Sequence, residues 1–251
     1  MNSRTQLATG SYTNSARQNL LQRTWDRRAG TWDHGGSPGL ERVVQAVLSA
    51  SGARPGAKAV DLGCGTGSLA LELARRGVEV TAVDISPAMV GQLREKAALA
   101  GLLGVSGVVC AIERFDVPPE SVDLVVSNYA LHHLSDADKA LLVRRVLGWL
   151  KPGGRLVVGD MMFGRGKSAR DWEIIASKVA VLARRGPQGW WRVVKNLVRF
   201  GLRLQERPVD MHTWESYLLR AGFSDVTVRP VVAEAGVASG TKAIAGTAPR
   251  A

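Results

Sequence analysis

The sequence contains only two cysteines, Cys64 and Cys110, among 251 residues. Two cysteines cannot build the multi-bridge framework that stabilises small secreted domains. The sequence also lacks an apolar run approaching the ~20 residues that a membrane-spanning helix needs, and residues 1–18 lack the apolar stretch of a signal peptide. These absences argue against a disulfide-rich secreted protein and predict a cytoplasmic protein in a reducing compartment.

Acidic residues are scarce in only one part of the chain. The formal net charge is +11, and residues 144–207 hold 15 Lys and Arg against four Asp and Glu, whereas the remainder balances. This unevenness favours a local basic surface over a protein coated in positive charge for nucleic-acid binding. Nucleic acid is therefore the less favoured partner.

Short apolar runs alternate with amphipathic stretches through the middle of the chain. The runs "AVDLG", "EVTAVD", "VSGVVC", "VDLVVS" and "RLVVGD" have the length of strands, and the segments between most of them have the pattern of helices. This alternation predicts an α/β fold with a parallel sheet covered by helices on both faces.

Composition divides the chain into five segments. We predict a disordered tail over 1–13, an N-terminal helical cap over 14–53, a core over 54–160, a basic helical insertion over 161–207, and a C-terminal helix with strands over 208–251. In the last segment the helix "TWESYLLRAGF" is expected to have Thr213 as its N-cap. The strands "DVTVRPVVAE" and "TKAIAGT" then close the sheet.

Residues 190–204 form an amphipathic stretch within the basic segment. At ~100° per residue, its Arg and Lys side chains share one arc and its apolar residues fill the rest. One interpretation is a lid helix packed on the domain with a solvated basic face. The other is peripheral contact with an anionic membrane surface.

The stretch "VDLGCGTG" places Gly63, Gly65 and Gly67 directly after a predicted strand. Glycines let a turn approach a ligand where a side chain would collide. In the dinucleotide pattern G-x-G-x-x-G the third glycine would lie at position 68, where this chain has Ser68. Asp84, which ends the next strand, suits the ribose of either a nicotinamide dinucleotide or S-adenosylmethionine (SAM). These two features leave both cofactors open.

Later motifs favour SAM. Together with "VDLGCGTG" and "VTAVDISPAMV", the stretches "SVDLVVSNYALHHL" and "LKPGGRLVVGD" strongly resemble class I SAM-dependent methyltransferases over residues 40–160. The resemblance is greatest to the small-molecule group that includes the ubiquinone and menaquinone biosynthesis methyltransferases. It implies a Rossmann-like, seven-stranded, mostly parallel sheet with a helical cap insertion before the last two strands. It also implies methyl transfer to an O, N or C atom of a small-molecule acceptor, and the basic amphipathic stretch at 190–204 suggests that this acceptor is lipophilic or anionic.

The resemblance also implies which residues hold the cofactor. Asp61 and the backbone of Gly63, Cys64 and Gly65 would hold the methionine end, with Asp61 near the ammonium. The remaining assignments are Asp84 for the ribose, Ile85 and Met89 for adenine, and Asn128 and Tyr129 beside the sulfonium. Many relatives carry Asp where this chain has Ala111; the backbone N–H of Ile112 and the carboxylate of Glu113 are its expected replacements.

His132 and His133 are the candidate proton acceptors, although a structural role for one of them is the alternative. Trp25 and Trp32 are candidates to close the cavity or to pack in the core, and His212 and Trp214 to face the acceptor. No Asp/Asn cluster indicates a metal, so we expect none. The sequence also leaves open an RNA or protein methyltransferase and a non-catalytic SAM-binding regulator.

Overall fold

The computed structural model of the chain describes residues 3–32, 38–164 and 207–244. Six helices and seven strands lie in these residues, together with a short 3₁₀ turn at Leu131–His133. The helices are α1 Ser3–Trp32, α2 Pro38–Ser51, α3 Ser68–Arg75, α4 Pro87–Leu99, α5 Asp136–Trp149 and α6 Met211–Ala221. The strands are β1 Lys58–Leu62, β2 Glu79–Asp84, β3 Val105–Val109, β4 Val122–Asn128, β5 Leu150–Met161, β6 Phe223–Val232 and β7 Ala235–Lys242.

All seven strands belong to one sheet with the order β3-β2-β1-β4-β5-β7-β6. The first five strands pair in parallel, and β7 pairs antiparallel with both β5 and β6. The strand order reverses between β1 and β4, and a reversal of this kind opens a crevice at the carboxyl ends of the strands. This crevice is where a ligand site is expected.

Alternation of side chains along the strands builds a separate core on each face of the sheet. On one face, Val60 and Leu62 of β1 pack in a cluster with residues of α5 and α6. On the other face, Ala59 of β1 packs in a cluster with residues of α2 and α3. The predicted α/β class, with a mostly parallel seven-stranded sheet and helices on both faces, is thus confirmed. The predicted helical insertion lies almost entirely outside the described residues.

The structure differs from the sequence expectation at the N-terminus. Helix α1 begins at Ser3, whereas a disordered tail was expected over 1–13. The segment from Ser3 to Trp32 contains no proline, so every residue can adopt helical backbone angles and donate its N–H.

Two boundaries near the C-terminus also differ. The N-cap of α6 is Asp210, whose carboxylate accepts a hydrogen bond of 2.7 Å from the backbone N–H of Thr213; Thr213 itself lies inside the helix. Strand β7 begins at Ala235, earlier than the predicted "TKAIAGT". Its first half is rich in small residues that look unlike a strand, but they allow close packing. A Cβ atom at Gly236 would lie 2.7 Å from the carbonyl oxygen of Arg229, and one at Gly240, later in the strand, would lie 2.8 Å from Phe223 Cβ.

Candidate functional site

A cavity opens at the carboxyl ends of β1, β2 and β4. It encloses about 960 Å³ of empty space, including a part open to solvent. All eleven residues that the sequence assigned to the cofactor line it: Asp61, Gly63, Cys64, Gly65, Asp84, Ile85, Met89, Ala111, Ile112, Asn128 and Tyr129. The structure therefore brings the predicted cofactor residues together in one place.

The glycine turn after β1 forms the floor of this cavity. Gly63 adopts φ +74°, and a Cβ atom there would lie 2.2 Å from the Cβ of Ala130. The backbone N–H groups of Gly63 and Cys64 donate hydrogen bonds of 2.8 and 3.0 Å to the carbonyl of Val83, at the end of β2. The turn is thus fixed against its neighbouring strand, and only glycine fits at position 63.

Asp61 is the most unusual group in the cavity wall. Its side chain is 1% exposed, and neither carboxylate oxygen has a hydrogen-bond partner of ordinary geometry among the described residues. Burial, reinforced by the charge of Asp84, raises the pKa of Asp61 to about 7, although the backbone N–H of Ala70 opposes the effect. Leaving a buried carboxylate without a partner is costly. A positively charged ligand group would remove that cost.

Asp84 lies beside the glycine turn, and each of its carboxylate oxygens accepts a hydrogen bond. The backbone N–H of Gly65 donates 2.9 Å to Oδ2, and that of Ser86 donates 2.9 Å to Oδ1. Burial raises the pKa of Asp84 against the lowering effect of these hydrogen bonds. Each oxygen keeps a lone pair that can accept from a vicinal diol.

Asn128 and Tyr129 lie where β4 enters the cavity. The amide oxygen of Asn128 is buried without a hydrogen-bond partner among the described residues. Tyr129 has φ +51°, an uncommon angle for a residue with a side chain. Its backbone N–H donates 2.8 Å to the carbonyl of Gly159, which holds this conformation. Burial, with nearby Glu234 and Asp160, raises the pKa of the phenol, so Tyr129 stays protonated.

Part of the cavity wall is apolar. Ile85, Met89, Ala111 and Ile112 line it, and Met89 is 1% exposed. Glu113 also lines the cavity, as the sequence expectation for an adenine-binding carboxylate requires. The apolar side chains are suited to the faces of a planar heterocycle.

The two adjacent histidines have different surroundings, although their ring centroids lie 4.1 Å apart. His133 lines the cavity, and its ring meets that of Trp25 edge-on with centroids 5.5 Å apart. His132 is absent from the cavity wall: its Nδ1 lies 2.6 Å from Asp160 Oδ1, and its backbone N–H donates 2.8 Å to Asp160 Oδ2. Both groups are almost fully buried. His132 is therefore tied to the fold, and His133 is the histidine that lines the cavity.

Several residues in the wall were missed by sequence reasoning. Leu21 from α1, Leu40 from α2, Ala130 and Leu134 all line the cavity. Leu21 had a usable signal, because it precedes the candidate Trp25 by four residues and so lies on the same helix face. Trp25 lines the cavity as expected; the side chain of Trp32 lies outside the described residues.

Two weaker candidates do not reach the site. His212 is highly exposed and lies near Glu215 of its own helix, with 3.6 Å between Nδ1 and Oε2. Trp214 is 1% exposed and packs within the core under α6. The expectation that they face the acceptor was wrong, because the helix turns His212 outward and Trp214 into the sheet.

Other chemistry finds little support in the described part of the chain. Residues 3–32, 38–164 and 207–244 hold no group of His, Cys, Asp and Glu side chains that could bind a metal. Burial raises the pKa of the Cys64 thiol well above its usual value, which disfavours a nucleophilic thiolate. Among the same residues, no helix combines the length and apolar character required to cross a membrane.

Comparison with known proteins identifies the core of the fold. Residues 59–154 match the family model for a methyltransferase domain. An uncharacterized methyltransferase of Geobacillus thermodenitrificans is 33% identical over 150 residues, which cover 59% of this chain and 62% of that protein. The ubiquinone/menaquinone biosynthesis C-methyltransferase UbiE of Vibrio vulnificus is 36% identical over 127 residues, covering 49% and 48%. The chain thus spans about half to three fifths of these relatives.

Solved structures agree on the fold. The 1,6-didemethyltoxoflavin N1-methyltransferase of Burkholderia thailandensis, with bound 1,6-didemethyltoxoflavin and S-adenosylhomocysteine (SAH), superposes with a TM-score of 0.63 at 18% identity. The match covers 93% of this chain and 90% of that one. Phosphoethanolamine N-methyltransferase 2 of Haemonchus contortus, in complex with SAM, gives 0.67 at 20% identity, covering 90% and 60%. The resemblance to class I SAM-dependent methyltransferases is confirmed.

Proposed function

We propose that this chain, whose core is a class I SAM-dependent methyltransferase domain, binds SAM in the cavity and transfers its methyl group to a small-molecule acceptor. When bound, SAM supplies a methyl group already activated by a sulfonium. The protein then has to hold the cofactor, align the acceptor and exclude water. Positioning of this kind lowers a barrier by ~7–11 kcal/mol.

The unpartnered, buried Asp61 carboxylate is the observation that carries this proposal. A dinucleotide places its pyrophosphate beside the glycine turn and the start of the following helix. In this chain the buried carboxylate of Asp61 lies beside that turn and near the backbone of Ala70 in the following helix, so a pyrophosphate would meet a carboxylate there. The ammonium of a methionine moiety instead supplies the partner that Asp61 lacks. The charge of the site therefore favours SAM over a nicotinamide dinucleotide.

The other residues fit the rest of the cofactor. Asp84 offers an acceptor at each oxygen for the two ribose hydroxyls. Ile85, Met89 and Ile112 provide an apolar slot for adenine, with Glu113 placed to accept from its amino group. The buried amide oxygen of Asn128 offers a second polar contact at the methionine end.

The acceptor side of the cavity supports a lipophilic or heteroaromatic substrate. Leu21, Trp25 and Leu134 line it beside His133, and large apolar surfaces of this kind bind apolar molecules. The related proteins named for ubiquinone and menaquinone biosynthesis and for a toxoflavin precursor are consistent with such an acceptor. We therefore propose that the acceptor is a small aromatic or isoprenoid-like molecule.

His133 is the residue that we propose removes a proton from the acceptor when the attacking atom carries one. It reaches the cavity wall, whereas His132 is held by Asp160 outside the wall. A general base must be within hydrogen-bonding reach of the proton that it accepts. His133→Asn is therefore expected to lower kcat by ~100-fold with a phenolic acceptor and to leave SAH affinity unchanged.

Methyl transfer is tested by measuring SAH formation from SAM with a panel of quinols, phenols and heteroaromatic amines. We expect turnover with at least one lipophilic member, and loss of turnover in Asp61→Asn. Strong SAM binding without turnover across the panel would favour a non-catalytic regulator. Salt-dependent binding of RNA in a filter assay would favour an RNA substrate.

We also propose that residues 190–204 contact an anionic membrane surface and bring a lipophilic acceptor to the cavity. Their basic and aromatic composition supports this idea, although the segment lies outside the described residues. Vesicles of anionic lipid should sediment the protein at low salt and not at high salt. Absence of binding at low salt would remove the membrane contact and leave the methyltransferase proposal intact.

A further inference from the structure

Helix α1 supplies a wall of the cavity that the cofactor motifs do not explain. Leu21 and Trp25 line the cavity, and their four-residue spacing puts both side chains on one face of the helix. The same helix contacts the body of the domain through two polar side chains, Arg17 and Asp26. Neither of these residues belongs to a cofactor motif.

Asp26 is joined to the start of α4. Its Oδ1 accepts a hydrogen bond of 2.5 Å from the hydroxyl of Ser86 and a longer one of 3.4 Å from the backbone N–H of Ala88. Ser86 is fully buried, which fixes the geometry of the shorter bond. A carboxylate is also favoured at this position because the N-terminus of a helix carries a partial positive charge.

Ser86 connects Asp26 to the residues assigned to the adenosine part of SAM. The backbone N–H of Ser86 donates 2.9 Å to Asp84 Oδ1, and its hydroxyl accepts 3.1 Å from the backbone N–H of Met89. Asp26 thus holds Ser86, which contacts both the ribose carboxylate and the first turn of α4. Loss of Asp26 would leave the Ser86 hydroxyl without its acceptor in a buried position.

Another hydrogen bond between α1 and the rest of the domain lies beside His133. The guanidinium of Arg17 donates a hydrogen bond to the backbone carbonyl of His133. Arg17 and Asp26 are nine residues apart, which corresponds to about 13 Å along a helix. Helix α1 therefore reaches from the ribose side of the cavity to the histidine side, with Leu21 and Trp25 between its two attachments.

We propose that α1 is a strap across the cofactor cavity and that Asp26 is a positioning residue for the ribose-binding turn, acting through Ser86. The proposal rests on the proposed function in that SAM is taken as the occupant of the cavity. It adds a determinant of cofactor affinity outside the methyltransferase domain matched at residues 59–154. Asp26 acts on Asp84 and Met89, and so on the adenosine part of the ligand.

Calorimetric titration of the full chain with SAH and with adenosine tests this proposal. Asp26→Ala should weaken both ligands by about tenfold, because each loses the same positioning of the turn. Asp26→Asn keeps an oxygen acceptor and should lose about threefold. The loss of affinity in the double variant Asp26→Ala/Ser86→Ala should be smaller than the sum of the losses in Asp26→Ala and Ser86→Ala, because the two residues act together. Arg27→Ala, an exposed change on the same helix, is the matched control and should bind like the wild type.

Affinities within twofold of the wild type in both Asp26 variants, with helix content unchanged by circular dichroism, would overturn the proposal. An equal loss in Arg27→Ala, or a loss for SAH without one for adenosine, would also overturn it. If Asp26→Ala is unstable, the test uses Asp26→Asn, alone and combined with Ser86→Ala. Failure of the wild-type protein to bind SAH would instead refute the proposed function, so the two failures are distinguishable.

Discussion

Two fully buried carboxylates at the carboxyl side of the sheet have opposite surroundings. Asp160 of β5 accepts three hydrogen bonds, of 2.8 Å from the backbone N–H of His132, 2.6 Å from its Nδ1, and 2.8 Å from the backbone N–H of Met161. Asp61 of β1 accepts none of ordinary geometry from the described residues. A satisfied buried acid stabilises the fold, whereas an unsatisfied one marks where a ligand supplies the missing partner.

Removal of Asp160 should have the largest effect on stability. Asp160→Ala leaves the imidazole and backbone N–H of His132 buried without their acceptor, and the partly buried N–H of Met161 without its own. We expect this to cost about 3–5 kcal/mol of unfolding free energy. Chemical denaturation of the wild type and variant measures this cost. Asp160→Asn keeps one oxygen acceptor and should lose less. A loss below 1 kcal/mol in Asp160→Ala would show that the comparison between the two acids is wrong.

Substitution of Asp61 should affect binding and not stability. Asp61→Asn removes the ion pair with the cofactor ammonium, and SAH affinity is expected to fall about 100-fold, equivalent to about 3 kcal/mol. The unfolding free energy should stay equal or rise, because an unpaired buried charge is removed. Calorimetry and denaturation on the same preparation give both numbers. Unchanged SAH affinity would remove Asp61 from the site.

Gly63→Ala tests whether the turn beside Asp61 depends on close packing. The new Cβ atom would meet Ala130 Cβ at 2.2 Å, whereas Gly101, with a similar φ of +65°, has open space around its Cβ position. Gly101→Ala therefore measures the cost of the backbone angle alone. We expect Gly63→Ala to lose about 1–3 kcal/mol more than this control in thermal unfolding. Equal losses would show that Ala130 moves away freely.

The smallest predicted effect is the dependence of binding on pH. The pKa of Asp61 is raised to about 7, above its usual value, so the ligand-free protein holds a proton there below pH 7. Binding an ammonium requires that proton to leave. SAH affinity should therefore fall by about tenfold from pH 7.5 to pH 6, and Asp61→Asn should abolish this dependence. An affinity that rises toward pH 6 would contradict the assignment.

The cofactor half of the site was predictable from sequence because its signals are local. Glycine spacing, strand-end acids and the stretch "SVDLVVSNYALHHL" each lie in one continuous segment. The strand "EVTAVD" was predicted with the bounds that the structure gives to β2, Glu79–Asp84. Such segments carry their own hydrophobic pattern, and the parallel sheet brings their ends together.

The rest depends on contacts between distant residues. His132 and His133 are adjacent and identical in type, and what separates their roles is Asp160, 28 positions away. The hydrogen bond from Ser86 to Asp26 spans 60 positions and has no local pattern. Strand β7 was misplaced because its small residues fit against Phe223, a neighbour that the local sequence does not reveal. Tertiary packing, not propensity, decides these features.

Calorimetry of the wild-type chain with SAH and with NADH, at pH 7.5 and in parallel with Asp61→Asn, tests the central claim most directly. The account predicts saturable heat with SAH, about 100-fold weaker binding in the variant, and no heat with NADH. Heat with NADH and none with SAH, from protein shown to be folded, would contradict it.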